Sequence, residues 1–153
     1  MQPRTIIFEN DTELRRLLCT VLRGRGHEVL DYASPVACAL VAEQRCRCPR
    51  DMPCADIILT DLRMPGMTGL ELLRLQRELG CKALPQNKAV ISAQLSQEQH
   101  NELSLLGCHC IAKPFHIRAL LNWVESCEAR IVESRILTGR ETIYLMAEQA
   151  SAV

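Results

Sequence analysis

An α/β fold with a doubly wound parallel sheet is predicted from three observations. Five short apolar runs alternate with five stretches of helical periodicity, in strict strand–helix order. The strand runs are rich in Ile, Val and Leu, as strands covered by helices on both sides must be. The chain has 153 residues, which suits one such domain with a real core. Right-handed crossovers then favour the flavodoxin-like (βα)5 arrangement, with strand order 2-1-3-4-5.

Each element has its own warrant. Arg4 to Phe8 (RTIIF) is a short apolar strand. Asp11 can cap the next helix, where Leu14, Leu17, Leu18, Val21 and Leu22 recur at helical spacing. Gly24 and Gly26 close it. His27 to Tyr32 (HEVLDY) alternates like a strand. Ser34-Pro35 opens a second helix to about Gln44, with Ser34 at the cap and Pro35 at the first helical position. A cysteine-rich loop follows. Asp56 to Asp61 (DIILTD) is the most strand-like run. Gly69 to Leu79 is a helix ended by Gly80. Ala89 to Ala93 (AVISA) is a strand, and Ser96 to Leu106 a more polar helix stopped by Gly107. Cys108 to Ala112 (CHCIA) is the fifth strand. The last helix runs from Phe115 to about Ile131, with Leu120, Leu121, Val124 and Cys127 on one face.

Composition narrows the partners. Eighteen basic residues balance eighteen acidic ones, which gives no reason to expect direct binding to nucleic acid or an anionic membrane. No apolar run approaches the roughly 20 residues that span a bilayer. The N-terminus, MQPRTIIFEND, is short and soon charged, unlike a signal peptide, so a cytoplasmic location is expected. Nine cysteines in a cytoplasmic chain do not imply disulfides. Cys19, Cys38 and Cys127 read as small core residues. Cys46, Cys48 and Cys54 lie in CRCPRDMPC, which reads as a polar loop. Its spacing is not a CxxC pair and no fourth zinc ligand is evident.

In a sheet of this kind, ligands gather at the carboxyl ends of the strands. Strand one ends in Glu9-Asn10-Asp11, strand three in Asp61, strand four in Ser92-Ala93 and strand five in Lys113-Pro114. The strand order reverses between strands one and three, so Glu9 and Asp61 are expected to be neighbours. Carboxylates crowded into one crevice repel each other, and a hard divalent cation such as Mg2+ resolves that. The Lys113 ammonium can pair first with a carboxylate and later with a phosphoryl oxygen. The Ser92 hydroxyl can donate to another. This set suits an aspartate that accepts a phosphoryl group.

At these residues the chain resembles the receiver domain of two-component response regulators. The likeness covers about Thr5 to Ile131. It rests on ENDTELRRLL, DIILTDLRMPGMTGLELL, VISA and IAKPF, in that order. The resemblance implies that Asp61 is the phosphoacceptor, Ser92 the switch hydroxyl and Lys113 the conserved-type lysine. It implies Mg2+ held by Glu9, Asp61, the Arg63 carbonyl and the Asn10 position, and a cis peptide bond before Pro114. It further implies a histidine kinase or phosphotransfer protein as phosphoryl donor, and a switch rather than a turnover enzyme. The output face would comprise the 96–106 helix, the 108–112 strand and the last helix, carrying Gln99, Glu102, Leu106, His109, Arg118 and Trp123. A homodimer through that face is one option. Trp123 is read either as an interface anchor or as a core-edge residue. Gln94 is placed to influence how water reaches the acyl phosphate.

Two residues depart from the family pattern. Asn10 stands where a second acidic residue is usual, which removes one negative charge from the metal site. Cys110 stands where the family usually has Tyr or Phe. The alternative reading is therefore a degenerate receiver that binds partners without phosphorylation. A haloacid-dehalogenase-like phosphatase is disfavoured, because the second aspartate it needs is Arg63 here.

Residues 1–131 are thus expected to form the receiver unit. Residues 132–153 form an extension, read as helix broken at Thr138-Gly139. That stretch is a linker toward an absent effector domain, a dimerising helix or a tail.

Overall fold

The computed structural model describes residues 1–35 and 52–139. Five strands form one sheet: β1 (Arg4–Phe8), β2 (Glu28–Tyr32), β3 (Ile57–Asp61), β4 (Lys88–Ser92) and β5 (His109–Ala112). All are parallel, in the order β2-β1-β3-β4-β5. Four helices are described: α1 (Thr12–Gly24), α2 (Gly69–Glu78), α3 (Gln97–Leu106) and α4 (Ile117–Ala129). The expected helix after Ser34-Pro35, and with it Cys38, Cys46 and Cys48, lies outside the described residues. A 3-10 turn, Pro85–Asn87, precedes β4 and was not anticipated.

Side-chain alternation explains the layering. Successive residues of a strand face opposite sides. Ile7, Ile57, Leu59, Ala89, Ile91 and Ile111 therefore pack under Leu18, Cys19 and Leu22 of α1 and Leu120, Trp123, Val124 and Cys127 of α4. The other face carries Ile6, Phe8 and Ile58 against Leu72. It continues with Val90 against Leu70 and Leu73 of α2 and Leu103 of α3. The three central strands are buried along their whole length, while edge strands β2 and β5 are partly exposed. Each buried Leu or Ile contributes about 1.5–3 kcal/mol relative to exposure, so this sandwich is a stiff platform for the strand ends.

Helix starts follow side-chain chemistry. Asp11 accepts hydrogen bonds from the amides of Glu13 and Leu14 and caps α1. Ser96 and Gln99 form a reciprocal capping box on α3. Thr68 and Glu71 do the same on α2, a cap the sequence reading overlooked.

Two expectations are corrected and one open reading is decided. The described part of the extension, residues 132–139, is not helical. It returns to the amino edge of the sheet instead. Arg135 donates to both Asp56 carboxylate oxygens, at 2.8 and 2.6 Å. The Thr138 amide and hydroxyl donate to the carbonyls of Pro53 and Met52, and Arg4 Nη1 donates to the Thr138 carbonyl. These long-range bonds outweigh a weak helical pattern. Second, Cys54 is not part of a polar loop surface but is buried with Ile6 and Phe8. Third, Trp123 is 9% exposed and stacks on His109 with ring centroids 5.8 Å apart. Of the two readings, core-edge residue is the one observed. No described helix is long and apolar enough to cross a membrane.

Candidate functional site

The register brings the carboxyl ends of β1 and β3 level. Phe8 lies beside Thr60, so the next residue of each chain, Glu9 and Asp61, emerges at the same rim. Asp61 is the last residue of a fully buried strand. Its Oδ1 accepts the Leu62 amide at 2.8 Å, which orients the carboxylate. Its Oδ2 lies 3.3 Å from Lys113 Nζ. The Asp61 side chain keeps 11% exposure, so one edge remains open to solvent.

Glu9 is held from three sides. Its amide donates to the Tyr32 carbonyl at 3.0 Å, its carbonyl accepts Arg15 Nη1 at 2.7 Å, and its Oε1 accepts the Asp11 amide at 3.1 Å. Arg15 also bonds Asp31 at 3.2 Å. This makes Arg15 a brace for the site that the sequence reading missed; one helical turn past the cap is the only clue it leaves. Glu9 Oε2 is buried and accepts no hydrogen bond among the described residues; Lys113 Nζ lies 3.6 Å away. Burial, and then the adjoining Asp61 carboxyl, push Glu9 up from 4.5 to about 7; the Asp11 amide and Lys113 oppose this only in part.

Lys113 closes the cluster from β5. Its amide donates to the Ser92 carbonyl at 2.8 Å, and the Lys113–Pro114 peptide bond is cis. Ser92 reaches the same rim at the end of β4, beside Ala112. Its hydroxyl, however, exchanges hydrogen bonds with Gln94: it donates to the carbonyl at 3.0 Å and accepts the amide at 3.2 Å. Glu9, Asp61 and Lys113 are therefore in contact, while Ser92 sits nearby with its hydroxyl turned into its own loop. Asn10 and Arg63 are exposed at the same end of the sheet.

The glycine that opens α2 is required by a close approach of backbone to backbone. A Cβ on Gly69 would lie 2.3 Å from the Asp61 carbonyl oxygen. The chain folds back so tightly that the Gly69 amide donates to the Leu62 carbonyl at 2.9 Å. Only glycine fits there.

Two carboxylates, one with an unpartnered buried oxygen, face a single ammonium. That oxygen-rich donor set fits a hard divalent cation such as Mg2+. No cluster of three or more His, Cys, Asp or Glu side chains suited to a metal occurs among the described residues. A cation here would therefore draw on Glu9 and Asp61, with neutral oxygens and water completing its shell.

The family profile described as Response regulator receiver domain matches residues 5–125. The response regulator receiver protein CpdR of Brucella abortus is 28% identical over 124 residues, covering 80% of this chain and 93% of its own. The DNA-binding response regulator MtrA of Mycobacterium tuberculosis is 31% identical over 77 residues, which is 50% of this chain but only 30% of that relative's length. Among solved structures, FixJ-N superimposes with a TM-score of 0.66 at 25% identity, covering 86% of this chain and 98% of that one.

Proposed function

The chain belongs to the response regulator receiver domain family, and on that premise we propose that Asp61 accepts a phosphoryl group in two-component signalling. Receiver domains are signalling switches that work with histidine kinases or phosphotransfer proteins. The observation that carries the finer reading is Lys113 Nζ, 3.3 Å from Asp61 Oδ2 and 3.6 Å from Glu9 Oε2. One ammonium between two carboxylates marks where a developing anion is to be stabilised.

An Asp61 oxygen attacks the phosphorus of a phosphohistidine in line. The bond from phosphorus to the imidazole nitrogen breaks and its electron pair leaves on the imidazole, which takes up a proton. Lys113 transfers its contact from Asp61 to a phosphoryl oxygen. Ser92 gives up Gln94 and donates to a second phosphoryl oxygen. Mg2+, when held by Glu9 and Asp61 with the Arg63 carbonyl and the Asn10 amide oxygen, supplies positive charge that neutralises the phosphoryl oxygens. The Ser92–Gln94 exchange moves the loop leading into α3, so the face of α3, β5 and α4 shifts between two populations. Water then hydrolyses the acyl phosphate, with Gln94 beside its approach. Residues 1–131 form this unit, and 132–139 dock back on it through Arg135 and Thr138.

Incubation with acetyl phosphate and Mg2+ tests the reading. Intact-protein mass spectrometry is expected to show one added phosphoryl group, absent in Asp61→Ala and strongly reduced in Lys113→Ala. No gain, or an equal gain in Asp61→Ala, refutes the assignment.

A further inference from the structure

At the opposite edge of the sheet, β4 begins with a lysine buried against expectation. Lys88 is 4% exposed, and its Nζ donates to the Gln76 amide oxygen at 2.9 Å. No carboxylate pairs with it among the described residues. An ammonium has three N–H donors, so two remain to be satisfied. A buried cation with a single neutral acceptor is costly unless an anion joins it.

The surroundings offer room for that anion. Lys88 shares its strand face with Val90 and lies beneath the groove between α2 and α3. There a cavity of about 340 Å³ is lined by Lys88 and Arg77, by the apolar Leu73, Ala83, Leu105 and Leu106, and by further residues that include no Asp or Glu. The size is within the range of small-ligand sites. Arg77 is exposed at the rim and donates one bond, to the Leu105 carbonyl at 2.8 Å, leaving further guanidinium donors. Leu105 is 80% exposed. It also lines the cavity, so it stands at the mouth.

We infer that this cavity binds a small organic carboxylate, its head group on Lys88 and Arg77 and a short apolar body against Leu73, Ala83 and Leu106. The site is separate from the phosphoacceptor rim. Lys88 and Ser92 are the two ends of one strand, roughly 13 Å apart at about 3.3 Å per residue.

Hexanoate, hexanol and inorganic phosphate are suitable probes, followed by amide chemical shifts in 1H–15N spectra. Hexanoate is expected to move the Gly107 and Cys108 amides saturably, with hexanol and phosphate each at least tenfold weaker. Lys88→Met, which keeps the volume and removes the charge, is expected to weaken hexanoate at least tenfold. Leu105→Glu changes only an exposed position, so it tests the site even if the Lys88 variant does not fold; repulsion at the mouth is expected to weaken hexanoate several-fold. Hexanol or phosphate matching hexanoate, or hexanoate binding unchanged in Leu105→Glu, overturns the assignment. So does the absence of any shift at Gly107 and Cys108.

Discussion

Replacing Glu9 by Gln should stabilise the metal-free protein at alkaline pH while disabling the site. Glu9 is fully buried, one of its oxygens lacks a hydrogen bond among the described residues, and burial beside Asp61 raises it from 4.5 to about 7. Between those two pH values the folded chain keeps a proton that the unfolded chain has released. The stability associated with that proton is fully present below pH 4.5 and is lost as pH rises through about 7. Each pH unit in the window is worth about 1.4 kcal/mol, so the total is about 3 kcal/mol. Glutamine cannot ionise and escapes this loss. The assay is urea unfolding followed by the fluorescence of Trp123, the only tryptophan, from pH 4.5 to 8.5 without divalent metal. The two proteins are expected to converge at the acid end and to separate by about 3 kcal/mol at the alkaline end, or ~10 °C in Tm for a domain of this size. Mg2+ at 100 times its Kd should return about 2.7 kcal/mol to the wild type at pH 8 and nothing comparable to the variant. Parallel pH profiles for the two proteins would show that Glu9 ionises freely and that burial beside Asp61 does not hold its proton.

Four other perturbations follow from particular contacts. Asn10→Asp places a third carboxylate at the rim, and a Mg2+ titration monitored by fluorescence should give at least tenfold tighter binding, about 1.4 kcal/mol. Gly69→Ala pushes a methyl group to 2.3 Å from the Asp61 carbonyl; it should lower urea stability despite the ~1 kcal/mol that alanine ordinarily adds in a helix, and should slow acetyl phosphate labelling. Arg135→Ala leaves the buried Asp56 without its bidentate partner, so a loss of about 1–3 kcal/mol and rapid hydrogen exchange at the Thr138 amide are expected. Trp123→Ala should cost about 3–5 kcal/mol, because the ring is core; unchanged stability by calorimetry would contradict that placement.

Much of the site was legible because its residues stand at strand ends. A run such as IILT can only be buried, so the aspartate that follows it must emerge at the rim. The parallel order then places Glu9, Ser92 and Lys113 at the same edge. Cys110 shows the same logic from the other side: it packs partly buried with Cys108 and Leu106 under α3, as the alternation along β5 requires. Arg15 was not legible, since an arginine on a helix reads as solvated until its contact with the Glu9 carbonyl is seen. Lys88 was missed for a related reason. It begins a strand, where a charged residue normally marks the surface, and only the packing of α2 and α3 over that end of β4 buries it.

Periodicity, caps and the residues that terminate each strand are properties of a chain with its neighbours, and they determined the five strands, the described helices, their order and the acidic rim. Distances between residues far apart in sequence are not. The 3.3 Å contact of Lys113 with Asp61, the unpartnered Glu9 oxygen, the inward turn of Ser92 toward Gln94 and the return of Arg135 to Asp56 were decided by the tertiary structure alone. Side-chain direction at a strand end depends on which backbone groups the adjoining loops leave free, and those loops take their shape only once the sheet beneath them has assembled.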